Sequence, residues 1–161
     1  MLLLLTQLAA EVASCRRKQD PLSLIILDID HFKSVNDTHG HQAGDKILKG
    51  IATLLQKKLR KGDGEVFRYG GEEMVVLLPR TTTEHAAEVA ERLRVAIEEK
   101  KFSIGRKKSL QITSSFGVAT FHLGMKEGAD LIQKADEALY KAKKGGRNRV
   151  EILTREELAG V

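Results

Sequence analysis

At 161 residues the chain suits one compact domain, which at this size buries roughly two thirds of its unfolded surface and folds without disulfide or metal staples. Cys15 is the only cysteine, which rules out a disulfide framework or thiolate cluster and fits a reducing, cytoplasmic setting, and the apolar start Met1–Leu5 falls far short of the roughly twenty residues that span a bilayer. The net charge of +5 favours anionic partners, but with 4% aromatic residues and no Trp the chain lacks a base-stacking platform, so nucleic acid is excluded as a partner.

Leu2, Leu5, Leu8, Ala9 and Val12 recur at helical spacing and predict an opening amphipathic helix that Pro21 stops. Leu22 to Leu27 is a nearly continuous apolar run, as in a strand covered on both faces, and it ends in two acids, Asp28 and Asp30. A polar, Gly-containing loop follows. A helix is expected from about Asp45 to Arg60, with Ile47, Leu48, Ile51, Leu54, Leu55 and Leu59 on one face. Val66–Tyr69 and Met74–Leu78 read as two short strands joined by the Gly70-Gly71-Glu72-Glu73 turn. Thr81 to Thr83 offers a cap for a helix over about Glu84–Lys100, and the basic stretch Lys100–Lys108 reads as a loop or short edge strand. A strand over Leu110–Thr120, a helix over Ala129–Lys143 and a last strand at Val150–Leu153 complete the order. That order contains β-α-β-β-α-β, the ferredoxin-like unit in which helices cover one face of a mostly antiparallel sheet, and predicts an α+β domain with a central sheet of about five strands and flanking helices.

Three polar features can converge in such a fold: the acids after the first strand, the acids of the glycine turn, and the Lys/Arg/Gly segment after the last long helix. Carboxylates at this density repel one another and are tolerated where a cation neutralises them, and oxygen-only ligands favour magnesium or manganese over zinc. A first strand and a hairpin that are neighbours bring Asp28 and Glu72 around such an ion. The plain alternative is that Asp28 and Asp30 only end a strand while Glu72 and Glu73 decorate a solvated turn. His31, His39, His85 and His122 have no metal-ligand spacing, and Tyr69, Phe116 and Tyr140 read as packing residues.

Taken as a set, these segments resemble a known family. Asp28-Ile29-Asp30-His31-Phe32-Lys33, Asn36-Asp37, Gly40-His41 and Gly44-Asp45 are similar to the DxDxFKxxND…GHxxGD signature of the GGDEF, or nucleotidyl-cyclase-like, family. Arg68-Tyr69-Gly70-Gly71-Glu72-Glu73-Met74 resembles its RYGG(D/E)EF turn as a GGEEM variant. Ser115 to Ala119 resembles its S-x-G-V/I-A strand, and Ala135 to Asn148 its ADxALYxAKxxGRN segment. The resemblance implies one GGDEF domain over residues 1–161, excised from a longer signalling protein, that condenses two GTP into cyclic di-GMP.

It further implies that Asp28, Glu72 and the Ile29 carbonyl hold Mg²⁺ or Mn²⁺, and that Glu73 either helps bind metal or takes the proton from the attacking hydroxyl. Asn36 and Asp45 would read guanine, with Phe32 and His41 in the same nucleotide-proximal region; Lys33, Lys143 and Arg147 would meet phosphates. Each site would hold one GTP, so a homodimer is required, and any membrane attachment would belong to regions outside the chain. Arg60 and Asp63 form an RxxD pattern, one residue farther from Arg68 than in the family, and are a candidate inhibitory site for cyclic di-GMP. Two departures stand out: Met74 replaces the usual Phe, and nothing in Met1–Ala10 resembles the family's DxLTGLxNRR opening. Two rival readings are a binding module that holds GTP or cyclic di-GMP with little turnover, and a purely structural or membrane-surface element.

Overall fold

The computed structural model describes residues 1–159; the last two residues of the expected domain lie outside them. The elements in chain order are α1 (Leu2–Lys18), β1 (Leu22–Ile29), α2 (Phe32–His39), α3 (His41–Lys58), β2 (Glu65–Arg68), β3 (Glu73–Pro79), α4 (Thr83–Glu99), β4 (Phe102–Gly105), β5 (Lys108–Leu110), β6 (Ser114–Thr120), α5 (Gly128–Lys144), β7 (Val150–Ile152) and α6 (Arg155–Ala159). Five strands form one sheet in the order β2-β3-β1-β6-β7. The first four are antiparallel neighbours, and β7 joins β6 in parallel through the α5 crossover.

The two-residue period of the central strands divides the core. Ile25, Leu27, Met74, Val76, Leu78, Phe116 and Val118 point to one face and pack on Ile47, Ile51 and Leu55 of α3 and Ala90, Leu93 and Ile97 of α4. Leu22, Leu24, Ile26, Val75, Leu77 and Ala119 point to the other and meet Leu4 and Leu8 of α1 and Leu131, Ala135 and Leu139 of α5. The β-α-β-β-α-β core has the expected form, with α3 and α4 on one face of the sheet, while α1 and α5 flank the second. This explains why β1 is apolar on both sides, with all eight residues buried. Helix α5 lies so close to β6 at Gly117 that a Cβ there would fall 2.2 Å from the Ala135 carbonyl oxygen and 2.3 Å from the Leu139 nitrogen.

The polar loop expected after β1 is instead the helix α2, of which only Phe32 is buried. Gly40, at φ 90°, separates it from α3. The basic stretch forms β4 of a small two-stranded hairpin with β5, and Leu110 closes that hairpin, so the strand expected from Leu110 begins at Ser114. Among the described residues no helix is long and apolar enough to cross a membrane.

Candidate active site

The same alternation that buries Leu24 and Ile26 beneath α5 carries on to Asp28, so the carboxylate at the end of β1 faces the last turn of α5. On β3, Val75 and Leu77 share that face, and Glu73 continues it. The register sets Asp28 directly opposite Glu73 on one side and Ser115 on the other. Opposed residues on neighbouring antiparallel strands have Cβ atoms about 5 Å apart, so two acids from distant segments are held together by backbone geometry alone. It is Glu73, not Glu72, that the ladder places across from Asp28. Glu72 is the half-buried last residue of the turn, and its charge acts on both Glu73 and Lys143.

The turn is built by the backbone of Glu73 and the guanidinium of Arg68. The Glu73 carbonyl accepts from the amides of Tyr69 (3.0 Å) and Gly70 (3.3 Å), while Arg68 Nη2 donates to the Gly71 carbonyl at 2.9 Å. The acids therefore stand at the end of a braced hairpin.

Asp28 is 6% exposed, and burial pushes its carboxyl above the usual aspartate range despite the opposing hydrogen bond from Lys143. Glu73 is raised too, first by burial and then by the negative charges of Asp28 and Asp136. Lys143 donates to Asp28 Oδ2; burial works against its charge, but Asp28, Glu73 and Glu72 hold the ammonium above its ordinary value. The other oxygen of Asp28, Oδ1, is buried with no hydrogen-bond partner. A cluster of acids that raises its own proton affinity, with one carboxylate oxygen unpaired, fits a hard divalent cation. Among the described residues no three acidic, histidine or cysteine side chains form a group that could hold a metal ion, so a cation here would need backbone or substrate oxygens as further ligands.

Asp30, only two residues on, is saturated. Its carboxylate accepts from Thr113 Oγ1 (2.7 Å), Ser115 Oγ (2.6 Å) and the backbone amide of Asn148 (3.0 Å). It ties the end of β1 to β6 and to the segment after α5, and that segment carries Arg147, which is exposed.

The expected base readers lie on the pair α2 and α3. Gly44 is buried against Asn36: a Cβ at position 44 would sit 1.9 Å from Asn36 Oδ1, an oxygen that is itself buried and unpartnered. Asp45 is exposed and, with Leu48, Arg68 and Met74, lines a cleft of about 480 Å³ between α3 and the hairpin. Met74, where the family has Phe, is 3% exposed and fills the core beneath this cleft. Lys33 and His41 are exposed at the starts of α2 and α3. Phe32, expected to contact substrate, turns its ring into the core, so any part it takes in binding falls to its backbone.

Arg60 and Asp63 close the turn between α3 and β2: Asp63 Oδ2 accepts from the Arg60 amide at 3.2 Å and the Asp63 amide donates back at 3.0 Å. They sit at the opposite end of the four-residue β2 from the acids. Sequence reasoning gave no role to Asp136, Arg94, Glu98 or the Thr113 and Ser115 hydroxyls. For Asp136 there was a signal, since seven residues before Lys143 is the same helical face.

Residues 2–149 match the family described as diguanylate cyclase, GGDEF domain. Diguanylate cyclase DgcP of Pseudomonas aeruginosa is 47% identical over 146 residues, which is 91% of this chain and 21% of that protein. Diguanylate cyclase A of Treponema denticola is 40% identical over 141 residues, covering 88% of this chain and 38% of the relative. The chain thus spans well under half the length of these curated relatives. Among solved structures, the active GGEEF domain of a diguanylate cyclase from Vibrio cholerae superposes with a TM-score of 0.87 at 36% identity, covering 94% of each chain. The GGDEF domain of DgcB from Caulobacter crescentus, solved with c-di-GMP, gives 0.84 at 34% identity over 91% of this chain and 86% of that one.

Proposed function

The chain belongs to the GGDEF family of diguanylate cyclase domains, and from that membership we propose that residues 1–161 are the catalytic domain of a longer, cytoplasmic signalling protein that condenses two GTP into cyclic di-GMP. The observation that carries the reading is the Asp28 carboxylate, opposite Glu73, with Lys143 on one oxygen and nothing on the other.

The reaction is nucleotidyl transfer: the 3′-oxygen of one GTP attacks the α-phosphorus of the other, the bond to the bridging oxygen breaks, and pyrophosphate leaves. A second transfer closes the ring. Magnesium or manganese, held by Asp28, the Ile29 carbonyl and Glu72 together with phosphate oxygens, would supply Lewis-acid neutralisation of the triphosphate. Lys143 is the local cation until then, and once the carboxylate has another partner its ammonium is available to a phosphate. Lys33 and Arg147 add positive charge for the pyrophosphate that departs. Glu73 sits beside the Asp28 carboxylate, either as a further metal ligand or as the base for the 3′-hydroxyl; its raised proton affinity is the direction a base needs near neutral pH.

Asn36 and Asp45 select the base. An aspartate accepts from the N1–H and exocyclic amine of guanine, a donor pair that adenine lacks, so ATP leaves the carboxylate unpaired. One GTP per site means that two copies must face each other for turnover. Arg60 and Asp63 are the place for cyclic di-GMP to inhibit, and an Arg60→Ala variant with unchanged product inhibition would remove that role.

Incubation of the chain with GTP and Mg²⁺ or Mn²⁺ at high protein concentration should yield cyclic di-GMP and pyrophosphate, with ATP a poor substrate. Tight nucleotide binding with no product would favour a binding module, and equal use of ATP would sink the assignment of Asn36 and Asp45.

A further inference from the structure

The segment between α5 and β7 has a backbone that is costly to hold. Gly146, Arg147 and Asn148 follow one another at φ 114°, 64° and 44°, and a left-handed conformation at a residue with a Cβ is strained and persists only where its surroundings impose it. The imposing contacts converge on Asn148, whose three polar groups outside its own carbonyl are all engaged. Its amide donates to Asp30 Oδ2 at 3.0 Å, its side-chain oxygen accepts from Arg94 Nη1 at 2.8 Å, and its side-chain nitrogen donates to Glu98 Oε2. Arg94 is itself fixed: Nε and Nη2 form a two-pronged pair with Glu91 at 2.9 and 2.6 Å, Nη1 also reaches Glu98 at 3.3 Å, and its side chain is only 15% exposed. Next to this anchored residue, the Arg147 amide donates to the Ala142 carbonyl at 3.0 Å, its carbonyl accepts from Arg149 Nε at 3.1 Å, and the residue is exposed.

We propose that Arg94, Asn148 and Asp30 form a clasp whose task is to hold the left-handed turn that aims Arg147 at the triphosphate, which makes α4 a supporting element of the phosphate site. This rests on the assignment of Arg147 to the phosphates made above. The clasp differs from ordinary packing in where its strength goes. A structural tie needs one contact, whereas here three side chains, Arg94 and Glu98 from α4 and Asp30 just past β1, pin a single residue adjacent to a cation. The three residues are positioning residues: they act through Arg147 and touch no substrate. Asp30 thereby acquires a function distinct from that of Asp28, despite the shared motif.

The test uses Asn148→Gly, because glycine keeps the positive φ without strain while losing both side-chain contacts. Binding is measured for α,β-methylene-GTP, which cannot release pyrophosphate, and for guanosine, which has no phosphate. Asn148→Gly and Arg94→Ala should each weaken the triphosphate about tenfold, the scale of a lost hydrogen bond to a charged group, and leave guanosine affinity unchanged. Their combination should be no worse than either alone, and in an Arg147→Ala background Asn148→Gly should cost less than about twofold. Thermal melts identify any variant that is simply unfolded. The clasp is overturned if Asn148→Gly leaves triphosphate affinity intact, weakens guanosine equally, or keeps its full effect without Arg147. If Arg147→Ala alone changes nothing, the phosphate assignment itself has failed and the clasp falls with it.

Discussion

Asp28 and Asp30 occupy the same strand end, yet opposite consequences follow from replacing them. Asp30 satisfies two hydroxyls and a backbone amide, so Asp30→Ala strands three donors and should cost about 2–4 kcal/mol, a melting temperature lower by roughly 5–15 °C. Asp28→Asn should do the reverse. Because burial raises the Asp28 pKa in the fold, ionised Asp28 is a destabilising group above that pKa, and the penalty lifts as pH falls and the carboxyl takes a proton. Metal-free Asp28→Asn should therefore melt no lower than the parent at neutral pH, with the advantage shrinking toward acid, while cyclic di-GMP formation drops by about a hundredfold or more. Melting curves from neutral to acidic pH, paired with pyrophosphate release, check both halves; a neutral-pH destabilisation as large as that of Asp30→Ala would contradict the assignment. At the base-reading end, Gly44→Ala drives a methyl into Asn36 Oδ1. That side chain must rotate away, so KM for GTP should rise about tenfold, the scale of one lost contact, and the preference over ATP should narrow.

At the scale of elements, the contact of α5 with β6 is the tightest constraint, and it delivers Lys143 to Asp28. Gly117→Ala places a Cβ against α5 backbone, which cannot rotate aside as a side chain can, so the helix must lift. Overpacking of this kind costs about 1–3 kcal/mol, and the variant should lose Lys143-dependent activity beyond what its lowered melting temperature explains. A Gly117→Ala protein with parental stability and turnover would mean that the helix accommodates the methyl freely. These elements were unevenly legible beforehand. The apolar run of β1 and the stripes on α3, α4 and α5 announce themselves because burial dictates their residues. Helix α2 does not, since seven of its eight residues are not buried and its only apolar residues, Phe32 and Val35, are too few to set a stripe. Periodicity also says which side of a helix is buried but not which side of the sheet receives it, so the run of β1 called for cover on both faces without saying that α1 and α5 supply the second. The site shows the same division. The acids of β1 and of the turn were found by residue type, but Glu73 as the partner of Asp28 depends on ladder register. The Lys143–Asp28 and Asn148–Arg94 contacts join positions 115 and 54 residues apart, which no local pattern encodes.

For the molecule as a whole, the proposed function makes the number of substrates decide the assembly. On the proposed reaction, a single site that holds one GTP cannot supply both the attacking hydroxyl and the attacked phosphorus, and a symmetric product from two identical substrates would call for a two-fold arrangement of identical chains. The net charge of +5 opposes that meeting, because two copies brought face to face repel each other. GTP with one divalent cation carries a charge of about −2, so each loaded copy is less positive than the free one, and substrate itself lowers the barrier to pairing. In the monomer-dominated regime the rate of cyclic di-GMP formation at saturating GTP should grow as about the second power of protein concentration, flattening to the first power once dimers prevail. At fixed low protein, raising the salt from a few millimolar toward physiological strength shortens the screening length to about 8 Å and should increase the rate while GTP remains saturating. Progress curves across a hundredfold range of protein concentration measure the exponent. A first-power dependence down to the lowest concentration, in a protein that sediments there as a monomer, would show that one copy completes both transfers alone.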